Sequence, residues 1–220
     1  MATIAILPVK TFIEAKKRLR SGLNPGERRA LAEAMYCDVL IALRRCAAVD
    51  SVIVVSADHG AQQIAGGYGA AVLGDIEHGH TVAARHGIER AVADGATRVV
   101  LVPGDCPALD PAELEGLLER EADERSVLIV PDRHRTGTNA LVLRPPDAIA
   151  PSFGPGSCQR HLDHAREGGV HGEVVDVPTL ALDVDTSEDL DALAERLADV
   201  RGGAAHTRGM LIQLARSRDR

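Results

Sequence analysis

The chain has 220 residues, 45% of them apolar, and a net charge of −7, which suits one domain with a sizeable buried core. The acidic balance argues against nucleic acid as a partner, although it does not exclude a local basic pocket. No apolar run approaches the ~20 residues of a membrane span and the N-terminus lacks the order of a signal peptide, so no membrane association is expected.

Aromatic residues are scarce and the cysteines are scattered. With no Trp, two Phe and two Tyr, the core must be aliphatic. The four cysteines include no C-x-x-C pair, so neither a zinc site nor a disulfide framework is indicated. We therefore expect a cytoplasmic protein with reduced thiols.

The first predicted strand, Thr3–Val9, is followed at once by a basic segment. Five basic residues fall between positions 10 and 20: Lys10, Lys16, Lys17, Arg18 and Arg20. Such a loop can close around a triphosphate, with lysines as point charges and arginines as forked donors. Because it lacks the glycines of a P-loop, its side chains would have to hold the phosphates. The alternative is a solvated basic loop.

Alternating helices and strands follow. The capping motif Asn24–Glu27 predicts the start of a helix. The sequence then predicts, in order, a strand at Val52–Val55, a strand at Ala70–Leu73 and a helix from Gly79 to about Ala93. This alternation predicts an α/β domain with a mostly parallel sheet and helices on both faces. Ser56 and Asp58 follow the second strand, at the sheet edge where such folds bind ligands.

Val99–Val102 predicts a central strand buried on both faces. Asp105 is the first charged residue after the turn that ends this strand. A carboxylate there is well placed to hold a divalent metal against a nucleotide phosphate. The alternative is that Asp105 only shapes the turn. Cys106 has no identifiable base and is interpreted as packing; a helix start is predicted at Asp110-Pro111.

The second half continues with predicted strands at Ser126–Pro131 and Ala140–Leu143. A Gly-rich turn, Ser152–Ser157, then precedes a helix that carries Arg160 and His161. Backbone N–H groups at such a turn form a ready site for an anion. The second half therefore predicts a place for an anionic ligand.

A last strand is predicted at Leu180–Val184, followed by a helix capped at Thr186. Because residues two apart in a strand face the same side, Asp183 and Asp185 could both point into one pocket. With Asp105 they would form an all-oxygen environment suited to Mg²⁺. The alternative is helix capping and charge complementarity, which applies better to Asp185 than to Asp183.

Two features stay outside this pattern. The loose cluster of His78, His80 and His86 is interpreted as solvated rather than metal-ligating. The tail after Val200 is rich in Gly and Arg and breaks the alternation, so the domain is assigned to residues 1–200 and the tail to 201–220. The tail is predicted either to be disordered or to dock on a partner through its MLIQLA segment.

Five motifs occur in an order that is typical of one enzyme family. They are LPVK with AKKRL (Leu7–Leu19), VPGDCPAL (Val102–Leu109), TGTNAL (Thr136–Leu141), FGPGS with RH (Phe153–His161) and LDVDTSEDL (Leu182–Leu190). From roughly Ile4 to Leu197 the chain resembles the guanylyltransferases that make the phospholactyl or enolpyruvyl guanosine diphosphate intermediate of the deazaflavin coenzyme pathway. The resemblance implies a single Rossmann-like nucleotidyltransferase domain. It also implies transfer of GMP from GTP to the phosphate of a small phosphorylated carboxylic acid, with release of pyrophosphate.

This chemistry assigns roles to the charged residues, because nucleotidyl transfer depends on positioning and on neutralising the leaving pyrophosphate. Mg²⁺ is assigned to three carboxylates, Asp105, Asp183 and Asp185. The nucleotide phosphates are assigned to Lys10, Lys16 and Arg18, and catalytic roles to Asp105, Lys16 and Arg18. Further nucleotide contacts are expected from Ser56, Asp58 and Thr81. Related enzymes often have Asn where this chain has Thr81. The hydrogen bond that the Asn amide makes to the nucleotide is therefore not transferred directly to Thr81.

The acceptor is assigned to the second half of the chain. The residues free to receive it are Thr138, the turn Gly154–Ser157, and Arg160 or His161 behind that turn. The resemblance places acceptor contacts in the same motifs, with Thr138, Gly154 and Ser157 as the best matches. Because the acceptor is already an anion, no general base is required. Phosphoenolpyruvate is the favoured acceptor, since the bacterial-looking members resemble this chain most, with 2-phospho-L-lactate and 3-phosphoglycerate as alternatives.

Two other functions stay open. One is a nucleotidyltransferase of similar fold that uses CTP or a sugar phosphate. The other is a nucleotide-binding module without turnover, against which the three carboxylates weigh. The sequence is also compatible with a homodimer.

Overall fold

The computed structural model describes residues 2–13, 15–74, 79–120, 124–199 and 202–218. The strands are β1 Thr3–Val9, β2 Ser51–Ser56, β3 Ala71–Gly74, β4 Arg98–Leu101, β5 Ser126–Pro131, β6 Thr138–Arg144 and β7 His171–Val174. The helices are α1 Pro25–Arg45, α2 His59–Gly67, α3 His80–Ala93, α4 Pro111–Leu118, α5 Ser157–Glu167, α6 Ser187–Asp199 and α7 Ala205–Arg218, with a 3-10 turn at Lys17–Leu19.

The strands form one sheet in the order β3-β2-β1-β4-β6-β5-β7. β6 runs antiparallel to β4 and β5, and the other neighbouring pairs are parallel. The predicted α/β fold with a mostly parallel sheet is confirmed. Because β6 runs against β4, its first residues, Thr138 and Asn139, lie at the sheet edge where β4 ends and Asp105 follows.

Helices cover both faces of the sheet, as β1 illustrates. Ala5 and Leu7 belong to the core cluster that contains α1, whereas Ile4 and Ile6 belong to the cluster that contains α3. On the α3 side the helix comes very close to the sheet at Gly87, where a Cβ would lie 2.4 Å from Cγ2 of Ile6. This alternation of side chains along β1 joins both helix layers to one strand.

A third apolar cluster lies between α1, α6 and α7. Leu31 and Met35 of α1 pack there with Leu193 of α6 and with Met210 and Leu214 of α7. The cluster explains why the last two helices belong to the same folded unit as α1.

The segment after residue 200 therefore differs from the two predictions made for it. Residues 205–218 form α7, which docks on the chain's own α1 rather than being disordered. The buried carboxylate of Asp38 in α1 accepts hydrogen bonds from the backbone N–H groups of His206 and Thr207, at 3.1 and 2.7 Å. An acidic side chain at these unpaired N–H groups stabilises a helix start, which the local tail sequence does not reveal.

Two strand predictions in the second half also differ from the structure. Leu180–Val184 is not a strand but an irregular segment at the sheet edge. The N–H groups of Leu180 and Ala181 both donate to the Val177 carbonyl at 3.0 Å, and that of Val184 donates to the Asp105 carbonyl in another loop rather than to a neighbouring strand. Conversely, β7 was not predicted, because His171–Val174 reads HGEV and lacks an apolar pattern; it pairs with β5.

None of the described helices combines the length and apolar character that a bilayer crossing needs.

Candidate functional site

A buried lysine joins two carboxylates at the carboxyl end of β4. Nζ of Lys16 lies 2.5 Å from Oδ2 of Asp105 and 3.4 Å from Oδ1 of Asp185. The Lys16 side chain is only 5% exposed, whereas that of Arg18 is 74% exposed and lies 3.6 Å from Asp185. The basic segment is therefore not a uniformly solvated loop. The ammonium group of Lys16 is buried in an ion pair, whereas the guanidinium of Arg18 is exposed.

Lys16 keeps its positive charge in this position. Burial alone would lower the pKa of its ammonium group, but Asp105 and Asp185 together raise it above its ordinary value. Its backbone has a φ of 56°, a left-handed conformation that is uncommon for residues other than glycine. Such an uncommon conformation at a charged cluster is typical of a functional position.

Asp183 completes a group of three carboxylates. Burial, and next the charge of Asp105, raise the pKa of Asp183 to about 6. Its Oδ1 accepts a 3.0 Å hydrogen bond from the amide of Asn139 at the start of β6. The Val184 N–H donates to the Asp105 carbonyl at 3.2 Å, so the two loops are joined directly. Sequence reasoning brought the three carboxylates together but missed Asn139, whose signal was its place in the TGTNAL motif.

The carboxylate of Asp189 holds the loop that carries Asp185 through hydrogen bonds. Oδ2 of Asp189 accepts the backbone N–H groups of Asp185 and Thr186, at 3.0 and 2.7 Å. Its other oxygen lies 2.7 Å from the guanidinium of Arg133. Side-chain capping at the start of α6, rather than a strand, thus positions Asp185.

The chemistry of this cluster fits a hard divalent cation such as Mg²⁺, because it offers carboxylate oxygens and carries more negative than positive charge. No group of three or more His, Cys, Asp or Glu side chains is arranged as a metal centre within the described part of the chain. Lys16 instead supplies the positive charge between Asp105 and Asp185. The Mg²⁺ assignment therefore stays a prediction.

A cavity of about 370 Å³ opens above this cluster. Its lining combines basic, aromatic and acidic side chains, among them Lys10, Lys16, Lys17, Arg18, Phe12, Tyr36, His80, Asp105 and Asp185. The predicted nucleotide residues Lys10, Lys16 and Arg18 thus share one cavity. A pocket with this charge pattern suits a polyphosphate.

His80 was interpreted as solvated, and the structure corrects this. It is half-buried on the cavity wall, with its ring 4.7 Å from that of Phe153 in an edge-to-face contact. Burial lowers the pKa of His80 to about 4, so the imidazole is neutral at pH 7. His78, of the same proposed cluster, lies outside the described residues.

Three residues assigned to the nucleotide make hydrogen bonds within the fold. The buried Ser56 hydroxyl donates to the Val9 carbonyl, and Asp58 caps α2 through the Ala61 N–H. Thr81 accepts the Phe153 N–H at 3.1 Å. Ser56, Asp58 and Thr81 do not appear in the lining of the cavity, and these contacts account for them.

The residues assigned to the acceptor form a hydrogen-bonded group beside the start of β6. Thr138 Oγ1 lies 3.1 Å from the Ser157 hydroxyl and 3.0 Å from Nδ1 of His161. Gly154 lies in the turn before α5 with a φ of 111°, a conformation that favours glycine. The Ser157 N–H donates to the Gly154 carbonyl within the turn, and the anion site predicted at this turn stays a prediction.

Arg160 does not reach towards a ligand either. Its guanidinium donates to the Ser152 hydroxyl at 3.1 Å and to the Ser152, Phe153 and Pro155 carbonyls. It therefore holds the turn in place.

Cys106 packs, as predicted. Its thiol is fully buried and lies 3.4 Å from the Leu180 carbonyl. Burial raises the pKa of this thiol well above its ordinary value, which disfavours a thiolate.

Comparisons with known proteins show what the whole chain is similar to. The chain matches the family described as "Guanylyl transferase CofC like" over residues 3–215, so the match includes most of the tail that the predicted resemblance left out. It is 56% identical to a phosphoenolpyruvate guanylyltransferase of Conexibacter woesei, with 99% of this chain and 98% of that protein covered. It is 36% identical to a 2-phospho-L-lactate guanylyltransferase of Methanothermobacter thermautotrophicus, covering 97% and 92%.

The fold is also shared with a solved structure. A nucleotidyl transfer enzyme from Methanothermobacter superposes with a TM-score of 0.64 at 17% identity, covering 91% of this chain and 99% of that one. At this identity the likeness concerns the fold alone.

Proposed function

Since the chain belongs to the CofC-like guanylyl transferase family, we propose that it transfers GMP from GTP to the phosphate of phosphoenolpyruvate and releases pyrophosphate. The phosphoenolpyruvate guanylyltransferase that is 56% identical over nearly the whole chain supports this acceptor. The product would serve deazaflavin coenzyme biosynthesis in the cytoplasm.

The observation that carries the proposal is the basic cavity that Lys16, Asp105 and Asp185 line, with Asp183 close to the two carboxylates but outside the lining. Lys16 and the carboxylates lie at the carboxyl end of β4, and Thr138 begins the neighbouring strand at the same sheet edge. A nucleoside triphosphate in the cavity and an acceptor at Thr138 would therefore meet beside the carboxylates. Bringing two anions together in this way supplies much of the catalysis in phosphoryl transfer.

Each group then has a definite task. Lys10 and Arg18 would bind the β- and γ-phosphates, and Lys16 would stabilise the negative charge that develops on the departing pyrophosphate. The carboxylates Asp105, Asp183 and Asp185 would hold Mg²⁺, which would offset the charge of the triphosphate. The acceptor phosphate attacks as an anion, so neutral His80 is not needed as a base.

A turnover assay tests the proposal directly. The purified protein is given GTP or CTP with phosphoenolpyruvate, 2-phospho-L-lactate or 3-phospho-D-glycerate, and pyrophosphate release is followed. We expect release with GTP and the highest turnover with phosphoenolpyruvate. Faster turnover of another acid would change the acceptor but keep the enzyme class, whereas activity with CTP alone or with none of the pairs would contradict the proposal.

The metal assignment has its own test in Asp105→Asn. The substitution keeps the size of the side chain and leaves Asp185 beside the buried Lys16, so the protein should still fold with reduced stability, but pyrophosphate release should fall by several orders of magnitude. Titration of Mg²⁺ against the protein with bound GTP should show weaker metal binding in the variant. Wild-type turnover or an unchanged Mg²⁺ affinity would remove Asp105 from the metal site.

A further inference from the structure

A continuous series of hydrogen bonds links His161, Thr138 and Ser157, and Thr138 lies at the sheet edge. Ser157 and His161 are fully buried, whereas Thr138 is half-buried and is the member that a ligand can reach. The residue after it, Asn139, binds Asp183 through its amide. The exposed member of this series thus lies next to the carboxylate cluster.

The surroundings of His161 determine which ring nitrogen carries the proton. The backbone N–H of Ser152 donates to Nε2 at 2.9 Å, so Nε2 must be an acceptor. Burial lowers the pKa of His161 to about 4, so the ring is neutral at pH 7. A neutral imidazole has one N–H, which must then be at Nδ1. His161 therefore donates to Oγ1 of Thr138 across the 3.0 Å contact.

The Nδ1–H tautomer of His161 leaves one hydroxyl hydrogen of the linked group free to bind a ligand. The Nδ1–H of His161 and the hydroxyls of Thr138 and Ser157 supply three donor hydrogens, and the two contacts between them use two. One hydroxyl hydrogen is left over. With the opposite tautomer, both hydroxyl hydrogens would be used within the linked group and none would be left. Because Ser157 is fully buried, the remaining hydrogen is presented by Thr138.

We propose that His161 is a positioning residue that fixes the Thr138 hydroxyl as a hydrogen-bond donor to the anionic acceptor. This inference rests on the proposed function for the identity of the acceptor. It replaces the prediction that His161 receives the acceptor itself, since both ring nitrogens are already engaged. Donor hydroxyls suit carboxylate and phosphate oxygens, which can only accept.

The tautomer can be measured without any turnover. In the full-length protein labelled with ¹⁵N, the ring signals of His161 are identified by their loss in His161→Asn. We expect the nitrogen shifts and couplings of an imidazole protonated at Nδ1. Protonation at Nε2 would overturn the proposal, and this result does not depend on the proposed function.

Two substitutions then separate donation from packing. An asparagine amide can replace Nδ1, whereas a glutamine reaches the position of Nε2 and loses the donor to Thr138. We expect His161→Gln to raise the KM for phosphoenolpyruvate about tenfold, the factor that ~1.4 kcal/mol represents, with His161→Asn within about threefold of wild type. The KM for GTP should stay unchanged in both. Equal effects of the two variants on the acceptor KM would contradict the proposal.

A double-variant cycle with Thr138→Val asks whether His161 acts through Thr138. Once the hydroxyl is absent, His161→Gln should add no further increase in the acceptor KM. Additive effects would overturn the proposal. Thermal unfolding shows whether each variant folds, and if His161→Gln does not, the tautomer of the wild-type protein decides.

Discussion

At Lys16 a buried ammonium group lies between Asp105 and Asp185, while two residues later the guanidinium of Arg18 extends into solvent. Exposed charges usually contribute little to stability, whereas removing one partner of a buried ion pair leaves the other uncompensated. The two residues therefore should differ in their effect on folding even though both are assigned to the same phosphates.

We expect Lys16→Met to abolish turnover and to lower the free energy of unfolding by roughly 1–2 kcal/mol, because its carboxylate partners are partly exposed and screened. Arg18→Ala, the matched control, should raise the KM for GTP while changing stability by no more than about 0.5 kcal/mol. Urea unfolding and GTP kinetics measure both quantities. A stable, active Lys16→Met protein would show that Lys16 contributes neither to catalysis nor to stability, as the interpretation of a solvated loop predicts.

His161 should also contribute to the pH dependence of stability. Its pKa is about 4 in the folded protein and returns towards 6.5 on unfolding, so between these values only the unfolded chain binds the proton. The contribution of neutral His161 is complete above pH 6.5 and is lost as the pH falls towards 4. His161→Asn should therefore lose less stability than wild type between pH 7 and 5 in urea unfolding. Equal losses would show that His161 does not titrate in this way.

At the scale of elements, the close approach of α3 to β1 depends on Gly87. A Cβ there would lie 2.4 Å from Cγ2 of Ile6, a buried side chain that cannot move freely. We expect Gly87→Ala to destabilise the protein by about 1–3 kcal/mol through overpacking. Gly116→Ala in α4 is the control: nothing lies within 4 Å of its Cβ, so it should be neutral or stabilising by up to ~1 kcal/mol. Similar unfolding midpoints for the two variants would refute the steric argument.

Elements with a strong local signal were predictable from the sequence. The capping box at Asn24 and Glu27 marks the start of α1, and β1 has the predicted bounds Thr3–Val9. Leu180–Val184 has the apolar character of a strand, but Cys106 and Asn139 contact the Leu180 carbonyl with their side chains, so tertiary contacts replace a ladder. An apolar pattern cannot distinguish these two outcomes.

The candidate site shows the same division. Asp105 could be predicted because it follows an apolar strand that ends at the sheet edge. Asp183 and Asp185 were paired on the assumption of a strand that the structure does not contain, since capping by Asp189 positions Asp185. The burial of Lys16 could not, since it depends on carboxylates 89 and 169 residues away along the chain. For the same reason the contact of the Ser56 hydroxyl with the Val9 carbonyl, 47 residues away, and that of the Asp58 carboxylate with the Phe12 N–H, 46 residues away, emerge only from the fold.

At the scale of the whole molecule, charge is distributed unevenly. The chain has a net charge of −7, yet the cavity is lined by Lys10, Lys16, Lys17 and Arg18. A basic cavity in an acidic protein attracts small polyanions such as the proposed nucleotide, while the acidic outer surface repels long ones.

Removal of the C-terminal helix α7 tests whether the chain folds as one unit. A chain that ends at Asp199 would lose α7 and expose its apolar contacts on α1 and α6, so we expect several kcal/mol of lost stability, or failure to fold, out of the ~5–15 kcal/mol that domains have. Two point variants keep the test decisive. Leu214→Ala, at a side chain 5% exposed, should cost about 2–5 kcal/mol, whereas Ile212→Ala, at 55% exposed, should cost little. If α7 instead served a partner, Ile212→Ala would impair that assembly and Leu214→Ala would leave unfolding of the isolated chain unchanged.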